Sequence, residues 1–231
     1  IMPDLYRIRS EWYSHLSSDI SASELDTYNS VLKRLVEKAR QYSTEPDEES
    51  IRFYGLQKLT LLDYPGNMAA TVFTGGCNFR CPFCHNALLV TEVDECVLWD
   101  ENEIIEYLYK RKGIIDGVCI TGGEPLMQKD IAEFIGKVKE TGLPVKLDTN
   151  GSYPDALEAL LDAELLDYVA MDIKSSPEGY ARAIGCEADF SNFEESIKLL
   201  KSCGIPHEFR TTAVKGIHTP NDFLRIGEIL G

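Results

Sequence analysis

Three cysteines stand in one short stretch, Thr74-Gly75-Gly76-Cys77-Asn78-Phe79-Arg80-Cys81-Pro82-Phe83-Cys84-His85-Asn86, at the spacing C-x3-C-x2-C. Three thiolates from one loop can hold three irons of a [4Fe–4S] cube. Electron-transfer clusters ordinarily take four cysteines. Three leave one iron free to bind something else, as an open position does in catalytic metal sites. Other chemistries compete for the same residues. A structural zinc site would need a fourth ligand. His85 would have to fold back from its place beside Cys84, and Cys96, Cys119, Cys186 and Cys203 are remote in sequence. A thioredoxin-type pair at Cys81 and Cys84 leaves Cys77 unused. A four-cysteine electron carrier would need Cys96 or Cys119 to fold in. Burial without chemistry fits the four scattered cysteines better than the glycine-flanked three.

An odd total of seven cysteines, three of them clustered, is a poor disulfide framework and points to a reducing, cytoplasmic compartment. The chain has 231 residues, enough for one sizeable core. Its 38 acidic and 23 basic residues give a net charge of −15, which disfavours nucleic acid and anionic membranes as partners. There is no apolar run long enough for a membrane span and no signal-peptide core at the start. A first residue of Ile suggests a fragment.

The elements that must position the cysteines follow from pattern. Residues 1–50 read as a helical extension, with helices near 5–17 and 22–42. The second has capping-box spacing at Ser21–Glu24, and the acidic linker Ser43–Ser50 follows it. Residues 51–231 read as alternating strands and helices. Strands are expected at Ala69–Thr74, Gly117–Thr121, Pro144–Asp148, Asp167–Ile173 and His207–Val214. Helices are expected at Glu101–Lys112, Lys129–Thr141, Pro154–Asp162, Glu194–Ser202 and Pro220–Leu230. That alternation implies an α/β fold with a parallel sheet, an open or incomplete (β/α) barrel. The strand ends carry polar groups: Thr121-Gly122-Gly123-Glu124-Pro125, Asp148-Thr149-Asn150-Gly151 and Asp172-Ile173-Lys174. On their own, these read as turns and helix caps. Arg210 fits a pocket residue and a structural ion pair equally well. His207 and His218 have no partner visible in the sequence.

The cysteine motif, with Phe83 just before its third cysteine, resembles the signature of the radical S-adenosylmethionine (SAM) superfamily. Gly76 through Asn86 is similar to the form found in glycyl-radical-enzyme activases. Gly55-Leu56-Gln57-Lys58-Leu59-Thr60-Leu61-Leu62-Asp63-Tyr64-Pro65-Gly66 resembles the head of the subgroup that activates anaerobic ribonucleoside-triphosphate reductase. The likeness runs from about Phe53 to the end of the chain. Relatives continue past the last helix into another barrel strand, so the resemblance implies a C-terminally truncated chain.

The resemblance implies a partial barrel of the radical SAM type, a [4Fe–4S] cluster on Cys77, Cys81 and Cys84, and SAM at the open iron beside Phe83, Cys84 and His85. Gly123 and Glu124, with Gly122, would meet the methionyl amino group. Asp172 and Lys174 would bind SAM, with Lys174 suited to its carboxylate. Asp148 and Thr149 are SAM or monovalent-cation candidates. Reductive cleavage of SAM would yield a 5′-deoxyadenosyl radical that takes hydrogen from a glycine of a partner enzyme. The expected partners are a glycyl-radical enzyme, anaerobic ribonucleotide reductase above others, and a flavodoxin-like reductant. A radical SAM enzyme acting on a small molecule, such as a modified-nucleobase precursor, is the first alternative. A noncatalytic metal-stabilised module is the second.

Overall fold

The computed structural model describes residues 51–91 and 98–231, together with Val31 and Arg34. Those two are helical and exposed; the rest of the helices expected at 5–17 and 22–42, and Cys96, lie outside the described residues. The chain divides into two units, Ile1–Glu49 and Ser50–Gly231.

The second unit is built on an open six-stranded sheet in the order β1 (Phe53–Thr60), β2 (Ala69–Thr74), β3 (Gly117–Gly122), β4 (Val145–Thr149), β5 (Tyr168–Asp172), β6 (His207–Arg210). β2 to β6 are all parallel, and β1 runs antiparallel to β2. The helices are α1 (Leu88–Thr91), α2 (Glu101–Arg111), α3 (Ile131–Glu140), α4 (Pro154–Asp162), α5 (Tyr180–Ile184), α6 (Phe190–Ser202) and α7 (Pro220–Leu230). Strand–helix alternation forces parallel neighbours, because each crossover returns the chain to the same starting edge.

Strand periodicity gives the sheet two different faces. Ala70, Val72, Val118, Ile120, Val145, Leu147, Val169 and Met171 all belong to one buried core. That core also takes Leu108 of α2, Phe134, Ile135 and Val138 of α3, Leu157 and Leu160 of α4, and Phe193, Ile197 and Leu200 of α6. The alternate residues form the opposite face. In register across neighbouring strands they run Thr71, Cys119, Lys146, Tyr168, and nearer the strand ends Asp148, Ala170, Glu208. An apolar outer face and a polar inner face are what an incomplete barrel with a filled interior site requires.

The helix ends follow local chemistry. Asp100 caps α2 by accepting from the Asn102 amide at 2.8 Å. A capping box of Thr219 and Asp222 starts α7. Ile131, Phe134, Ile135 and Val138 make the buried stripe of α3. β1, α1 and α5 are not among the elements expected from pattern, and two expected elements differ by four residues at one end. α6 begins at Phe190 rather than Glu194, because Asp189 accepts from the Ser191 amide and caps it earlier. β6 stops at Arg210, four residues short of the expected end. Among the described residues no helix is long and apolar enough to cross a membrane.

Candidate functional site

Parallel strands bring all their C-terminal ends to one rim. A cavity of about 440 Å³ opens there, lined from the loop after β2 by Cys77, Cys81, Phe83, Cys84 and His85. The loop after β3 adds Gly122 and Gly123. The ends of β4 and β5 add Asp148, Thr149, Asn150, Asp172 and Lys174, and β6 adds Arg210. The size lies within the ~300–1,000 Å³ of small-molecule sites.

One side of this rim is made by backbone. The Gly123 amide donates to the Thr74 carbonyl at 2.9 Å, and the Glu124 amide donates to the Gly76 carbonyl at 2.8 Å. Asn86 Nδ2 donates to the Gly122 carbonyl at 2.9 Å, and Gln128 Nε2 to the Gly75 carbonyl at 2.8 Å. The contact is so close that a Cβ on Gly123 would lie 1.7 Å from the Gly76 oxygen. At Gly122, whose φ is +120°, it would lie 2.2 Å from the Thr74 oxygen. These glycines are therefore needed where two loops press together, whatever they offer a ligand.

The other side is made by charge. Arg210 Nε donates to Asp172 Oδ1 at 2.9 Å, and its NH1 reaches Asp148 Oδ2 at 3.3 Å. Ala170, opposite Asp148 on the intervening strand, is small enough to let the guanidinium cross. Asp172 Oδ2 takes Lys174 Nζ at 2.8 Å, and Asp148 Oδ1 takes the buried Lys146 ammonium. Burial would raise the Asp172 carboxyl, but the charges of Lys174 and Arg210 outweigh it and hold it below the usual range. Burial likewise works to lower Lys174, and the Asp172 carboxylate overcomes it and raises it. Of these groups Lys174 and Arg210 face the cavity, where their N–H donors can meet an anionic ligand group, beside Asp63, Asp148 and Asp172; Lys146 stays buried behind Asp148.

Glu124 is placed differently from the expectation that it would touch the ligand. Its side chain is fully buried and is not part of the cavity lining. Its carboxyl accepts from Thr149 Oγ1 at 2.8 Å, the Asn150 amide at 2.7 Å and the Leu126 amide at 3.1 Å. Every oxygen is engaged in tying the β3 loop to the end of β4. Burial pushes this carboxyl up to about 7, against the three hydrogen bonds that favour its charged form.

The three motif cysteines are all free, half-buried thiols facing one cavity. Burial pushes Cys77 up to about 11 and raises Cys81 as well. A ligating thiolate must lose that proton, so metal uptake here releases protons. Among the described residues no three His, Cys, Asp or Glu side chains converge on one metal ion. That does not conflict with a cube, whose corner irons take one thiolate each. The donor set fits a [4Fe–4S] cluster.

A family model for the radical SAM superfamily matches residues 71–227. The chain belongs to that superfamily. It is a radical SAM enzyme, and a [4Fe–4S] cluster and SAM are its cofactors. A Methanocaldococcus jannaschii protein named as a glycyl-radical enzyme activating enzyme is 35% identical over 175 residues, covering 73% of this chain and 70% of that one. A Thermococcus kodakarensis protein named as a GTP 3′,8-cyclase is 32% identical over 149 residues, covering 63% of this chain and 47% of that one. Among solved radical SAM folds, native anSMEcpe with bound AdoMet superposes with a TM-score of 0.51 at 19% identity. The match covers 67% of this chain and 46% of that one. The chain thus spans less than half the length of that cyclase and of that structure.

Several residues around this site make contacts that could not be read from the sequence, and of these Asn78, His207 and His218 do not line the cavity. Asn78 and Asn86 sit inside the cysteine motif but act through side-chain hydrogen bonds to distant loops. His218 is held by two partners: Nδ1 accepts from the Val214 amide at 3.0 Å, so Nε2 carries the proton and donates to the Lys174 carbonyl at 2.7 Å. Its ring meets Phe83 edge-on at 6.0 Å. His207 Nδ1 lies 3.0 Å from the Ile205 carbonyl. Arg210 takes both of its expected roles at once, lining the cavity and pairing with two carboxylates.

Proposed function

We propose that this chain is a glycyl-radical-enzyme activase that carries its cluster on Cys77, Cys81 and Cys84. The observation that carries the reading is the 35% identity, across 73% of the chain, to a protein named for that activity. When bound, the cluster and SAM supply a hydrogen-abstracting radical. The protein's own part is to hold and shield them. Cys77, Cys81 and Cys84 anchor the cluster on a loop that the β3 glycines keep rigid. Lys174 and Arg210 attract the SAM carboxylate, with Asp172 and Asp148 orienting both cations and offering oxygens to the SAM amino group or to a monovalent cation. Gly122, Gly123, Thr149, Phe83 and His85 form the walls and keep bulk water from the reacting atoms.

The substrate is a glycine of a partner protein, and anaerobic ribonucleotide reductase is the partner favoured by the Gly55–Gly66 head. A flavodoxin-like protein is the matching reductant, and the unpaired cysteines suit a reducing cytoplasm. The likeness to a GTP 3′,8-cyclase favours the second reading, a small-molecule substrate. Anaerobically reconstituted protein, SAM, reductant and a reductase deuterated at its glycine decide between them. An electron paramagnetic resonance (EPR) doublet of a glycyl radical, with deuterium recovered in 5′-deoxyadenosine, is the expected result. SAM cleavage without label transfer would favour the small molecule.

A further inference from the structure

The loop after β4 reaches the cluster loop through a closed hydrogen-bond ring that the reading above does not use. Asn150 is buried at the end of β4. Its Oδ1 accepts from the Ser152 amide at 2.9 Å and from Ser152 Oγ at 2.6 Å. A backbone N–H can only donate, so this fixes which end of the Asn150 amide is oxygen. The other end, Nδ2, therefore faces the cysteine loop. It donates to Asn78 Oδ1 at 2.9 Å and lies 3.8 Å from Cys77 Sγ. Asn78 Nδ2 closes the ring on Ser152 Oγ at 2.9 Å. The Asn150 backbone cannot drift, because its amide is held at 2.7 Å by Glu124.

We propose that Asn150 is a positioning residue for the cluster: its side-chain amide donates an N–H···S hydrogen bond to the Cys77 thiolate and raises the cluster's reduction potential. The amide has two hydrogens and two acceptors, Asn78 Oδ1 and Cys77 Sγ, so neither bond costs the other. In the free thiol, Cys77 itself faces Asn78 Oδ1 at 3.9 Å. Deprotonation ends that donation and turns the sulfur into an acceptor only. The Phe79 amide, 3.4 Å from the same sulfur, is a second donor. Cys77 differs from Cys81 and Cys84 in having a side-chain donor on its sulfur, among the described residues. Hydrogen bonds to cluster sulfurs offset the negative charge gained on reduction, and so favour the reduced form. Glu124, Thr149 and Asn150 together form a bracket that carries the rigidity of β4 to one iron ligand.

The inference rests on Cys77 being a cluster ligand. Cys77→Ala tests that alone: full iron content in C77A would remove the premise. For the proposal itself, reconstituted protein is titrated anaerobically with the reduced cluster read by EPR. N150A, which removes the donor without adding charge, should shift the one-electron reduction equilibrium about tenfold toward the oxidised cluster, ~59 mV to more negative potential. N150D replaces the donor with an acceptor of the same shape and should shift it further. S152A cuts the far side of the ring, leaves the donor in place, and should stay well inside the N150A shift. Pulsed EPR on unmutated protein carrying ¹⁵N in its asparagine side chains should show a nitrogen coupling that N150D lacks. An unchanged potential in N150A at full iron content would overturn the proposal, as would an S152A shift equal to that of N150A. If the variants take up no iron, absence of the ¹⁵N coupling in the unmutated protein would overturn it by itself.

Discussion

Across the cavity rim, the loops after β2 and β3 meet through main-chain groups, whereas β4, β5 and β6 meet through charged side chains. On the first side the Gly123 and Glu124 amides bind the Thr74 and Gly76 carbonyls at 2.9 and 2.8 Å, with no room for a Cβ between the loops. On the second, Arg210 reaches past Ala170 to join Asp172 and Asp148, and each carboxylate keeps a lysine. Backbone contacts of this kind have one geometry. Paired long side chains have several, and can exchange one partner for a ligand group. The difference matches what each side is proposed to hold: a rigid inorganic cube on one, the charged end of a flexible organic molecule on the other.

The sharpest break in that comparison is removal of a cysteine. Replacing Cys77, Cys81 or Cys84 with Ala should abolish cluster uptake, read as iron per chain after anaerobic reconstitution. Cys186→Ala should keep it, although Cys186 Sγ lies 3.6 Å from the Asn78 carbonyl on the same loop.

Next in size is Gly123→Ala. A methyl 1.7 Å from a carbonyl oxygen must push the two loops apart, at a cost on the order of 3 kcal/mol. Denaturant melts of the metal-free protein should show that loss, together with poor iron uptake. If Gly123→Ala leaves stability intact and only weakens SAM, the glycine serves the ligand and not the loop junction.

Glu124 sets a pH dependence of comparable size. Its carboxyl lies near 7 when folded, raised chiefly by burial from 4.5. Between those values the folded chain binds more protons than the unfolded one, so stability should fall as pH rises from 4.5 to 7, by about 3 kcal/mol at most. Glu124→Gln should flatten that slope while lowering stability throughout, because an amide cannot accept from all three donors. A wild-type stability curve that is flat or rising across this window would contradict the assignment.

Arg210→Ala is the gentlest test. The pair is partly solvated, so about 1 kcal/mol of stability is expected to go. The clearer sign is acid sensitivity. Asp172 is held below the usual carboxylate range, so its contribution is present above the unfolded value and is lost as pH falls through the folded one. Without Arg210 its titration, followed by NMR, should move upward, while SAM affinity falls and iron content stays constant.

What the sequence made legible was local. The cysteine spacing needs no partner to be read. The parallel strands β2–β5 announce themselves as short apolar runs, buried in the fold except at Phe73, Tyr168 and the polar strand ends. β1 did not: Gly55-Leu56-Gln57-Lys58-Leu59-Thr60 alternates poorly, and Leu59 stays half exposed on the strand next to β2. Glu124 is a ligand candidate only through the resemblance; on its own the segment reads as a turn after a strand. Only its distance to Thr149 and Asn150, about 25 residues on, reveals a strut. Asn150 reads as a turn residue, and its Oδ1 does make that turn with Ser152. Its other end serves a loop more than 70 residues earlier, which no periodicity can encode.

That separation fixes an order of events during synthesis. Asn78 and its anchor Ser152 are 74 residues apart. At roughly 5–20 residues per second, the anchor leaves the ribosome about 4–15 s after the cysteine loop. Until then the motif is complete in composition but not in shape. The β4 bracket therefore closes late: the ring that holds Asn78 can form only once Ser152 has been made.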